Sequence, residues 1–228
     1  MSGFSVLDYA GLVFFALAWC AYHAAVEFTP AGRRGLNPLM NEYRHRWMEQ
    51  MAGRENRIVD TTIMASLQNG TAFFASTSLI AIGGSLALLR SADDVLRLFG
   101  QDMPGVEAAR LAWELKVAGL ALIFVYAFFK FAWAYRLFNY AAILVGAVPM
   151  SRGDNGEAVQ QGARRAAAMN VVAARHFNRG QRAYFFALAY LGWFASAYVL
   201  MAGTAAVLYV MWRRQFASDA REAILEDR

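Results

Sequence analysis

The chain has 228 residues, 58% of them apolar, and a formal net charge of +5. That apolar share with a positive mean hydropathy is too high for a water-facing exterior and points to a bilayer. The excess charge is nearly all arginine, twenty against the two lysines Lys116 and Lys130, which favours lipid phosphate over nucleic acid as the anionic partner.

In chain order, four apolar runs are long enough to span about 30 Å of hydrocarbon as helices: 9–28, 61–89, 111–148 and 183–212. The first has no basic residue before it and carries Trp19 before the single Cys20, which argues against a cleaved signal and excludes a disulfide framework. The expected fold class is all-α: a polytopic membrane protein of four transmembrane helices with long cytoplasmic helical extensions. Arginines set the direction. The connection 31–60 carries Arg33, Arg34, Arg44, Arg46, Arg54 and Arg57, and 151–182 carries six more. The connection 90–110 has three, offset by Asp93, Asp94, Asp102 and Glu107. The positive-inside rule then puts both rich connections in the cytoplasm and both termini outside. Arg213 and Arg214, after the fourth run, oppose that assignment.

Each rich connection reads as helix. Asn37-Pro38 starts one over about 37–52, with Leu39, Tyr43, Trp47 and Met51 at fourfold spacing. Asp154 starts another over about 154–178, with Val159, Ala163, Ala166, Ala167, Asn170 and Ala174 on a small-residue face. Gly180 is the expected break before the fourth run.

The third run is longer than a bilayer requires. Counted at about 1.5 Å per residue from Leu111, Lys130 falls about 28 Å along the helix, near the inner boundary, and Arg136 about 9 Å further. Tyr126, Trp133 and Tyr140 recur every seven residues between these cations, as an interfacial belt would.

Several side chains could carry chemistry. His23 and Glu27 share a helix face and form an ion or hydrogen-bonded pair, with Arg33 or Arg34 as local partners; two ligands make no metal site. Asp60 can cap the second span. Gln68, Asn69, Thr71, Ser76 and Thr77 could line a path for a small ion or solute, or bond between helices. Arg54, Arg57, Lys130, Arg136, Arg179 and Arg182 are candidates for anion or lipid-phosphate binding. Quinone beside Trp133, Tyr135 and Tyr184 is a weaker alternative. No cofactor or enzyme signature is present.

The runs RHRWMEQMAGRENRIVD, SLQNGTAFFASTSLIAIGGSLALL and NRGQRAYFF together resemble the domain-of-unknown-function 599 family, small bacterial and plant membrane proteins. The resemblance implies an integral protein of about four helices, in a bacterial inner (plasma) membrane, and no established activity. Two functions follow from the residues: a channel or transporter for a small ion or solute, or a structural or accessory protein that anchors lipids or a larger membrane complex. Membrane lipids and further copies of the chain, as a homo-oligomer, are the expected partners.

Overall fold

The computed structural model describes residues 4–90, 106–151 and 153–225, all helix and turn, with no strand among them. Seven α-helices follow in order: α1 (Val6–Phe28), α2 (Leu36–Ala52), α3 (Ile58–Arg90), α4 (Val106–Ala147), α5 (Gly156–Leu191), α6 (Ala197–Phe216) and α7 (Asp219–Leu225). One-turn 3-10 segments stand at Gly32–Arg34 and Gly192–Phe194. Among the described residues, three helices, Val6–Phe28, Ile58–Arg90 and Glu107–Ala147, are long and apolar enough to cross a membrane. Asp93, Asp94 and Asp102 lie outside the described residues.

The start of α1 is fixed by reciprocal bonds: Asp8 donates its backbone N–H to the Ser5 hydroxyl, and the Asp8 carboxylate accepts from the Ser5 backbone. Gly11, Phe15, Ala18 and Tyr22 then recur at helical spacing and are buried. They meet α6 in parallel, with Gly11 against Ala197 and Leu200, and the Tyr22 hydroxyl donating to the Met211 carbonyl.

The long helices α4 and α5 share the most extensive packing, and α3 lies against α4. Two apolar clusters run along them. One gathers Phe15, Ile123, Phe131, Phe186, Tyr190, Trp193 and Leu200, flanked by Trp19, which stacks on Phe186 at 4.9 Å. The other gathers Met48, Met51, Met64, Leu137, Phe138, Ala141, Val145 and the alanines of early α5. The expected small-residue face, Val159 through Ala174, is buried there. Alanine keeps the helix axes close while costing no side-chain entropy. The lower third of the long third run therefore packs against α3 and α5, in a cluster that α2 joins.

Two expectations about the last run are corrected. Helix α5 passes through Gly180 unbroken. A Cβ at that position would lie 2.7 Å from the Phe131 ring, so glycine serves close packing there and no hinge. The break falls instead at Gly192–Phe194, after which Ser196 caps α6 by accepting from the Val199 N–H. Residues 183–212 thus form the two arms of a hairpin rather than one span. Gly203 lies against Ala189, and Arg214 sits over the Phe185 ring at 5.2 Å, which makes α5 and α6 antiparallel.

The hairpin reverses the end on which the chain finishes. Asp8 accepts from the Trp193 indole, and Lys116 donates to the Trp193 carbonyl, at one end of the bundle. Arg221, in α7, donates to the Arg34 carbonyl at the other. Ser5 and Leu225 therefore stand at opposite ends, contrary to the expectation that both termini share a side. Arg213 and Arg214 join the arginine-rich connections.

Replacing Gly180 by alanine should press on Phe131 at the junction of α4 and α5. The expected loss is about 1–3 kcal/mol, seen as a lower Tm of the detergent-solubilised protein, while alanine at the open position Gly83, which gains helix propensity without a clash, does not lower Tm.

Candidate functional site: an arginine-lined cleft at the end of α1

Glu27 stands in the last turn of α1, where the helix dipole disfavours a carboxylate, so it requires cations nearby. They come from α5. Arg179 donates from Nε to Glu27 Oε1 at 2.9 Å and from Nη2 to Oε2, and Arg182 donates from Nη2 to Oε1. His23 Nδ1 is 3.5 Å from the same carboxylate. The local partners expected for Glu27, Arg33 and Arg34, are replaced by residues 152 and 155 positions away. The Glu27 side chain is only 11% exposed, a burial that a paired carboxylate tolerates and a lone one does not.

Arg175, Arg179 and Arg182 are spaced four and three apart, so α5 presents them on one face. The chain after α1 folds the other wall. Thr29 bonds back to the Ala25 carbonyl and accepts from the Gly32 N–H, closing a tight turn that carries Arg33 toward α5. Next, α2 brings Asn37 and Asn41.

Between these walls lies a cavity of about 270 Å³ lined by Glu27, Arg33, Asn37, Asn41, Arg175, Asn178, Arg179 and Arg182. A second, of about 100 Å³, is lined by Tyr22, Asn37, Asn178, Gln181, Arg182, Phe185, Arg214 and Gln215. Val26, Asn37, Asn178 and Arg182 border both, so the two form one cleft. Five guanidinium groups face it against one carboxylate, Glu27, among the described residues. Arg33 and Arg175 have no hydrogen bond or ion pair to any described residue. Burial, with Lys130, Arg179 and Arg175 nearby, holds His176 below the usual imidazole range, so this neighbour adds no further charge near neutral pH.

The other nominated cations are engaged elsewhere. Arg54 donates to Asp60 Oδ1 at 2.7 Å, beside the Trp47 indole at 2.7 Å. Asp60 is fully buried in that pair and caps nothing; Asn56 accepts the Ile58 N–H instead. Arg57 donates to the Val145, Val148 and Pro149 carbonyls, closing the end of α4. Lys130 sits over Tyr126 at 5.1 Å, and Arg136 donates to the Tyr140 hydroxyl. Asn139, inside the same run, accepts from Gln68 at 2.7 Å and ties α3 to α4.

The proposed path residues do not share a surface. Gln68 and the buried Thr71 face the helix packing, while Asn69 and Ser76 are exposed on the other side of α3. Thr77 returns its hydroxyl to the Phe73 carbonyl. Of the aromatic trio considered for quinone, Tyr184 packs between Phe74, Phe124 and Phe131 and bonds to Ser78, while Trp133 and Tyr135 are exposed.

Sequence reasoning named Arg179 and Arg182 but missed Arg175, Arg33, Arg214 and Gln215 as members of one site. The spacing of Arg175 with the other two was visible in the sequence. Arg214 and Gln215 could not be placed without the hairpin.

Fold and cleft together define an all-helical protein with three membrane-capable helices and a cation-rich cleft at one end. Residues 10–220 match the family model described as "Protein of unknown function, DUF599", and the chain belongs to that family. No curated protein and no solved structure matches it.

Neutralising Glu27 strands two guanidinium groups. Glu27→Gln should cost about 3 kcal/mol, measured as a lower Tm in detergent, and the shorter carboxylate of Glu27→Asp should recover part of the loss.

Proposed function

We propose that the chain is an integral plasma-membrane protein that crosses the bilayer five times, through α1, α3, α4, the later part of α5, and α6. Its arginine-bearing end faces the cytoplasm and serves a structural or accessory role by holding anionic groups of the inner leaflet. The observation that carries this reading is the convergence of every arginine-rich connection, Arg213 and Arg214 included, at the end of the bundle where the cleft opens. Under the positive-inside rule such convergence assigns that end to the cytoplasm. On this reading Arg33, Arg175 and Arg214 stand at headgroup height, where each cation near an anionic surface contributes about 1 kcal/mol of attraction.

A conduit within one copy has less support. Its five candidate residues divide between packed and outward faces of α3. The outward face, with Asn69 and Ser76 beside the open positions Gly70, Gly83 and Gly84, suits contact with a second copy, so a homo-oligomer or a larger membrane complex belongs to the proposal.

Single cysteines introduced into a Cys20→Ser background test the topology. With a membrane-impermeant thiol reagent applied to spheroplasts, Ser5→Cys should be labelled, while Ser151→Cys and Ser218→Cys should react only after the membrane is opened. Labelling of Ser218→Cys from outside would defeat the five-pass arrangement.

A further inference from the structure

We propose that the cleft is a phosphoryl-binding site, filled by a headgroup phosphate or by a small free phosphate. This deepens the anchoring reading above and rests on it. Three observations carry it.

The first is charge. Glu27 neutralises one of the five guanidinium groups and is shared by Arg179 and Arg182, so the surplus on Arg33, Arg175 and Arg214 faces the cleft without a carboxylate among the described residues. Arginines held this close repel one another, and a multivalent anion between them removes the penalty.

The second is a donor without a partner. Gln215 is 6% exposed, borders the smaller chamber, and its Nε2 is buried with no hydrogen-bond partner. A buried amide donor left unmade costs about 1–3 kcal/mol, so its retention asks for an acceptor. Gly35 makes the amide's position possible, since a Cβ there would lie 2.3 Å from Nε2. Arg182, itself 9% exposed, borders the same chamber and spends Nη2 on Glu27.

The third is shape and surroundings. At roughly 30 Å³ per water, the 270 Å³ chamber holds a phosphoryl group with several waters. Guanidinium forks match phosphate oxygens pairwise, and the amides of Asn37, Asn41 and Asn178 add further donors. Val26 and Phe28 give this chamber an apolar wall that strengthens each of these contacts by lowering the local dielectric.

The test uses the full chain in phosphatidylcholine nanodiscs, titrated with radiolabelled inorganic phosphate, and in parallel nanodiscs containing phosphatidic acid, with retained lipid measured by native mass spectrometry. Saturable binding of inorganic phosphate assigns a free phosphate. Selective retention of phosphatidic acid without inorganic phosphate binding assigns a headgroup. In either arm, Arg33→Gln and Arg175→Gln should each weaken binding about tenfold, as loss of one charge-assisted hydrogen bond predicts. Neither should lower the ligand-free Tm, and Arg136→Gln, outside the cleft, should bind as the native chain does. The proposal falls if neither probe binds saturably, or if Arg33→Gln and Arg175→Gln bind unchanged. The inorganic phosphate arm reports on the cleft whichever side of the membrane it faces, so its failure is separate from a failure of the topology.

Discussion

The ion triad of Glu27 with Arg179 and Arg182 is the constraint on which the functional end of this protein depends. It joins the last turn of α1 to the middle of α5, more than 150 residues away in sequence, at the wall of the arginine- and asparagine-lined cleft. Removed from water, each of these charges is costly alone, so their mutual satisfaction specifies how α1 docks against α5. Once α1 ends there, the turn at Thr29–Gly32 and the start of α2 follow over the same face and supply Arg33, Asn37 and Asn41 to the cleft.

A second polar network works on the neighbouring cluster. Trp47 and Arg54 converge on the buried Asp60, Arg57 closes the carbonyl end of α4, and Arg44 donates to Asn170, whose own amide reaches Met64. These bonds fasten α2, α3, α4 and α5 into a bundle whose apolar contacts are mostly methionine and alanine. Such contacts fill space well but specify register poorly, and the directional bonds supply that register. Burial lowers the affinity of Arg44 for its proton, yet a guanidinium stays charged, so Asn170 serves a permanent cation. Arginines that looked alike in sequence therefore divide into two kinds. Arg54, Arg57 and Arg44 are consumed by the fold, while Arg33, Arg175 and Arg214 remain directed at the cleft or its rim.

The five-pass reading also removes a conflict within the sequence itself. Arg213 and Arg214 contradicted the positive-inside assignment only while 183–212 was one span. A reversal at Gly192–Phe194 returns them to the arginine-rich end, with basic residues in the last turn of α6 where the dipole favours them. Arg214 thereby gains both a Phe185 ring to lie on and a place beside Gln215.

By itself the sequence determined the helical class, three of the four runs it marked as membrane-spanning, the helical nature of both arginine-rich connections and the buried alanine face of α5. All of these follow from local composition and from the 3.6-residue period, which every segment carries within itself. It also brought His23 and Glu27 onto one face. The tertiary structure alone decided that 183–212 turns back, because an apolar run looks the same to a hydropathy profile whether it continues or folds on itself, and Ser196 acts as a cap only once the chain has reversed. Gly180 looked like a breaker for the same reason: its function is contact with Phe131, a residue 49 positions earlier in sequence that only packing brings near. The partners of Glu27 were hidden likewise, since charge pairing over such a separation is set by which helices touch, and that depends on the sum of many apolar contacts rather than on any spacing along the chain.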